Sequence, residues 1–75
     1  MDNVAHDAIA GRLEAGKTAG WLSEYLVAWH GTSDALAPNV TVWPAADQND
    51  DAMRIYLNGL LAGLVPENGI VIADP

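Results

Sequence analysis

Seventy-five residues with three Lys+Arg, ten Asp+Glu and no cysteine leave room for one domain of three or four elements, with no disulfide framework, thiolate metal site or cysteine nucleophile. With 51% hydrophobic and 17% charged residues, the chain has the apolar content of a folded domain rather than a disordered one. The formal charge of -7 argues against phosphate backbones and acidic lipid surfaces, because affinity for both comes from Lys and Arg.

Met1-Asp2-Asn3-Val4 lacks the basic, apolar character of a secretory signal, so export is not expected and a reducing cytoplasm is. Residues 3 to 15 place Ala5, Ile9 and Leu13 four apart, with Val4 and Ala8 beside them, which predicts a helix. Gly16 to Gly20 predict a break, with Gly16 as a left-handed cap and Thr18 starting a new helix. From Trp21 to His30, Leu22, Tyr25, Leu26 and Trp29 recur at three and four, so a second helix is expected, ended by Gly31. Residues 31 to 39 are turn-rich and read as a connector. Val40-Thr41-Val42-Trp43 is β-branched and aromatic and bounded by Asn39 and Pro44, the pattern of a short strand.

Asp47-Gln48-Asn49-Asp50-Asp51 then leads into Met53, Tyr56, Leu57, Leu60, Leu61 and Leu64, the clearest helical periodicity in the chain. Pro66 to Gly69 is a turn, and Ile70 to Ala73 is an apolar run that suits a buried strand. The expected fold is a small single α/β (α+β) domain over residues 1–75, in the order α-α-β-α-β, with two or three short strands packed on amphipathic helices. Strands 40–43 and 70–73 would lie parallel as a βαβ unit. The rival is a hairpin of Leu64-Val65 on Ile70-Val71. Two parallel strands make a poor sheet, so the unit invites completion by a second copy or a partner, through Ile70 to Ala73 or Val40 to Trp43.

Catalytic and metal constellations are thin. Asp47, Asn49 and Asp51 alternate as in a calcium loop, but Ala52 stands where a glycine is needed and Asn58 where a bidentate glutamate is needed. Asp47 or Asn49 is better read as a helix cap, with Asp50 and Asp51 at the positive end of the dipole. His6 and His30 lack paired metal spacing, and no GxSxG elbow accompanies the serines. Gly11 to Thr18 spell G-x-x-x-x-G-K-T, the phosphate-loop pattern, yet the residues before them are helix-periodic rather than a strand. Gly59 and Gly63 form a small-residue strip that suits close packing on the strands. Size and acidity are shared with acyl carrier proteins, although Ser33-Asp34-Ala35-Leu36 reverses their Asp-Ser-Leu order.

No enzyme, cofactor or metal is expected. The aromatic set is Trp21, Trp29, Trp43, Tyr25 and Tyr56, and Trp and Tyr are residue types favoured at binding hot spots. The functional expectation is a small acidic protein-protein interaction module whose partner-binding residues are Asp47, Asp50, Asp51, Trp21, Trp29 and Trp43. Its partner would carry a basic surface, and the chain would bind neither nucleic acid nor membrane directly. One form is an inhibitor or adaptor that fills a nucleic-acid-binding groove, as DNA-mimicking anti-restriction and anti-CRISPR proteins of phages do. The alternative is a homodimer or larger structural assembly that completes its sheet between subunits.

Overall fold

A computed structural model describes residues 3–73. Helix α1 (Asn3–Thr18) is followed by strands β1 (Leu22–Thr32) and β2 (Ala35–Pro44), helix α2 (Asp50–Leu60), a 3-10 turn at Glu67–Gly69 and strand β3 (Ile70–Ile72). The sheet order is β1-β2-β3. Strands β1 and β2 form an antiparallel hairpin, and β3 runs parallel to β2 with Val40, Thr41 and Val42 opposite Ile70, Val71 and Ile72. The small mixed α+β domain and the parallel βαβ unit are therefore as expected, and the rival hairpin at Leu64-Val65 does not form.

The second element differs from expectation: residues 21 to 30 are not a helix, because Leu22 to Thr32 pair along their length with β2. Residues 31 to 39, expected as a connector, are mostly strand around the two-residue turn Ser33-Asp34. Neither turn residue has positive φ; Gly31 does, at 121°, and a Cβ there would drive into the carbonyl oxygen of Ala35. Pro38 is tolerated because it faces Trp29 and lies short of Val40, where β3 pairing begins.

Helix α1 also runs past the expected break at Gly16. That glycine is buried, and a Cβ on it would meet Leu22 Cδ2 at 2.8 Å and Tyr56 Oη at 3.1 Å. The helix stops at Gly20, φ 89°, where Trp21 N–H donates to Gly16 O at 3.0 Å and Gly20 N–H to Lys17 O at 3.1 Å. These are the paired bonds of a Schellman cap. Asn49, one of the two expected caps, begins α2: its Oδ1 accepts from Ala52 N at 2.8 Å, while Asp50 and Asp51 occupy the first turn.

One core unites Ile9 and Leu13 from α1, Val40 and Val42 from β2, Met53, Leu57 and Leu61 from α2 and its end, and Ile70 from β3. Tyr25, Val27 and Trp29 pack against this core from β1. Their cross-strand neighbours are Val42, Val40 and Pro38, so one face of the sheet carries both helices. Arg12 Nη1 fastens α1 to α2 by donating to Leu60 O at 2.9 Å, at the negative end of the α2 dipole.

Replacing Asn49 with Ala should lower the unfolding free energy by about 1 kcal/mol, read as a shifted urea midpoint at unchanged slope. Gly31→Ala should cost at least as much, because the substitution is strained by backbone angle and by contact alike, at ~1–3 kcal/mol for such positions.

Candidate functional site: the uncovered sheet face and its open edge

Side chains alternate along strands, so the register assigns the second face directly. Glu24, Leu26, Ala28 and His30 of β1 stand opposite Trp43, Thr41, Asn39 and Ala37 of β2, and Val71 of β3 lies beside Thr41. None of these residues belongs to the core cluster or packs against it. Leu26 is 56% exposed and Val71 47%. A sheet face left to water is usually polar. The centre of this one is Leu26, Ala28, Thr41, Trp43 and Val71 with Asn39 opposite Ala28, and Glu24 and His30 lie toward its ends along β1.

The expected binding residues do not converge. Trp21 precedes β1 and stacks on Tyr56, with ring centroids 4.3 Å apart and planes 9° from parallel. Trp29 lies on the helix side of the sheet, where its indole N–H donates to His6 Nδ1 at 3.3 Å. The positions of Leu22 and Trp29 along β1 are ~23 Å apart at the usual strand rise. Both Trp21 and Trp29 are half-buried parts of the scaffold. Trp43 alone of the three belongs to the uncovered face. Asp47, Asp50 and Asp51 are exposed in the loop after β2 and the first turn of α2.

All acidic residues among the described ones are exposed, and of these only Glu24 lies on the uncovered face. Sequence reasoning missed Leu26, Thr41 and Val71 as surface residues. Reading residues 21 to 30 as a helix placed Leu26 in the core, whereas the alternation of Tyr25, Val27 and Trp29 with Glu24, Leu26 and Ala28 carried the correct signal.

The order of the sheet leaves the outer edge of β1 unpaired by any described strand. A two-residue turn makes Thr32 and Ala35 the closing hydrogen-bonded pair, so the amides of Tyr25, Val27 and Trp29 point outward. Tyr25 accordingly donates its backbone N–H to Glu24 Oε1 at 3.1 Å, and Glu24 Oε2 lies 3.7 Å from Lys17 Nζ. A bulge between Leu22 and Glu24 ends the regular register, where Ser23 Oγ donates to Trp43 O at 3.2 Å.

Other chemistry is sparse. Gly11 to Thr18 are wound into α1, so their backbone makes helical bonds instead of cradling a phosphate. Among the described residues no three His, Cys, Asp or Glu side chains gather to hold a metal ion. A shallow depression of ≈ 580 Å³ is lined by Arg54, Glu67, Asn68 and Ile70, which supply no paired nucleophile and base. No described helix is long and apolar enough to cross a membrane. No family model matches the chain, nor does any curated protein or solved structure.

The hydroxyl of Tyr25 donates to Glu14 Oε2 at 2.8 Å. That bond first, then desolvation and the charges of Glu14 and Glu24, raises the Tyr25 pKa above the ordinary 10.0. Protonated Tyr25 therefore stabilises the fold fully below pH ~10, and the contribution is lost as pH rises through the raised folded value. Tyr25→Phe should flatten that part of the alkaline unfolding limb, measured as urea midpoints between pH 9 and 11.

Proposed function

We propose that this chain is a small non-enzymatic protein-binding module that docks through the uncovered face of its sheet. Its carboxylates steer it toward a partner whose apolar patch is bordered by basic groups. The single observation behind this reading is the exposure of Leu26 and Val71 on a sheet face that also carries Trp43. Contiguous apolar surface on so small a domain is a feature of interaction sites.

Magnitudes divide the roles. Covering the exposed half of Leu26 or Val71 contributes on the order of 1 kcal/mol each, and each exposed ion pair at the border ~0.2–1 kcal/mol. The face therefore supplies affinity, while Asp47, Asp50 and Asp51 act mainly on encounter rate and its salt dependence. A cytoplasmic setting goes with this reading, since a packed core built without cysteine needs no oxidising compartment. The inhibitor that occupies a nucleic-acid-binding groove is the form in which charge, not the face, would carry affinity.

Partner retention by immobilised chain separates these forms. Leu26→Glu with Val71→Glu should abolish retention while leaving the melting temperature within a few degrees, because both side chains are already half exposed. Reversing Asp47, Asp50 and Asp51 to Lys should slow association several-fold and reduce its salt dependence. Retention that survives the face variant and vanishes with the charge variant would replace docking by the groove-filling form.

A further inference from the structure

We propose that two copies of this chain join along the open edges of β1, antiparallel about a two-fold axis at Val27, to form one six-stranded sheet. The proposal uses the edge of the sheet and stands independently of what covers its face. Completion through Val40 to Trp43, expected from sequence, is excluded because β2 is the central strand with a neighbour on either side. β3 is an edge of only three residues, whereas β1 presents eleven, without a proline. Long unpaired edges are templates for another strand.

The side chains select the occupant and the register. Outward-pointing Tyr25, Val27 and Trp29 must pair with outward-pointing residues, so the two-fold axis falls on one of these strand positions or midway between two of them. Centred on Val27, Tyr25 faces Trp29 of the second copy, Val27 faces its own counterpart, and about six backbone hydrogen bonds form. On the uncovered face Leu26 meets Ala28 of the second copy, and Glu24 meets His30 of the second copy. The only two ionisable side chains of that face among the described residues thus pair across the join. Shifting the axis one residue either way sets Glu24 against Ala28 or Thr32 and leaves this pair unmade. The Tyr25 amide, now held by Glu24, passes to the carbonyl of Trp29 in the second copy, and the Glu24 carboxylate exchanges that amide and its 3.7 Å contact with Lys17 for His30.

Helix α1 runs alongside the same stretch of β1. His6 meets Trp29 and Glu14 meets Tyr25, so Val27 falls opposite the midpoint of that helical span, Ala10. Eight helical residues rise ~12 Å and four strand residues ~13 Å, so the two elements stay in step. The net charge of -7 makes two copies repel at long range, so the association strengthens as salt rises.

Sedimentation of the full chain over a concentration series should show a monomer-dimer equilibrium whose dissociation constant falls from low to high salt. A monomer at every concentration and both salt levels overturns the proposal. Val27→Pro removes an outward amide that the fold itself does not pair, and should give a folded monomer. The exposed position His30 provides a test that does not depend on a proline being accommodated. His30→Glu should raise the dissociation constant about tenfold, from two pairs turned repulsive, and adding Glu24→His should restore it; failure of that rescue overturns the register. Because the sequence has no cysteine, mixed Leu26→Cys and Ala28→Cys chains report the register directly on oxidation. Disulfides between the two kinds of chain support it, and preferential bridging of Leu26→Cys chains to each other overturns it.

Discussion

The antiparallel pairing of β1 with β2 is the constraint on which the rest of the molecule depends. Its parity decides that Tyr25, Val27 and Trp29 turn toward the helices while Leu26 and Ala28 turn away. A slip of one residue would exchange the two sets and bury Glu24 and His30. The tight turn at Ser33-Asp34, permitted by positive φ at Gly31, fixes that parity. Val40 and Val42, both 0% exposed, then have neighbours on each side and a helical layer above them.

What was legible in the sequence was what local chemistry settles alone. Met53, Leu57 and Leu61 recur at four, and Asn49 sits three residues before the amide it caps, so α2 could be placed from its own residues. The β-branched runs at Val40 and Ile70 left little alternative to strand. Residues 22 to 30 satisfy both periods at once: Leu22, Tyr25, Leu26 and Trp29 make a helical stripe, and Tyr25, Val27 and Trp29 make a strand face. Their partner, Ala35 to Asn39, contains alanine and proline and announces no strand. Only the tertiary pairing resolves the ambiguity, by giving the backbone of β1 a hydrogen-bonding partner that a helix would not need. Because the exposed face follows from strand parity, the site was hidden together with the strand.

The ties between α1 and β1 show how a small core is made to hold a helix in place. Gly16 allows Leu22 and Tyr56 to close in beneath the helix end, and the Trp21–Tyr56 stack covers that end. Glu14 accepts from Tyr25 about one turn before the helix ends, and His6 accepts from Trp29 near its start. These contacts use the polar tips of amphipathic aromatics at the border of the core, where one end of each ring is dry and the other is not. Two of the three tryptophans are thereby committed to structure, which is why residue type alone pointed to them as binding residues and their positions do not.

Charge and apolar surface are segregated by the same topology. Helices and loops carry Asp7, Glu14, Asp47, Asp50, Asp51 and Glu67, all exposed, while the uncovered sheet face holds Glu24 alone. An acidic chain repels its own copies at long range, and at about a Debye length that repulsion is screened. At contact, what decides is whether the buried groups find partners, since an unpaired backbone amide costs more than a surface ion pair contributes. The outward amides of β1, open to water in the single chain, must therefore find carbonyl partners in any interface that covers them. Glu24 meets that demand at Tyr25 in the single chain, whereas the backbone of another strand would meet it along the whole edge.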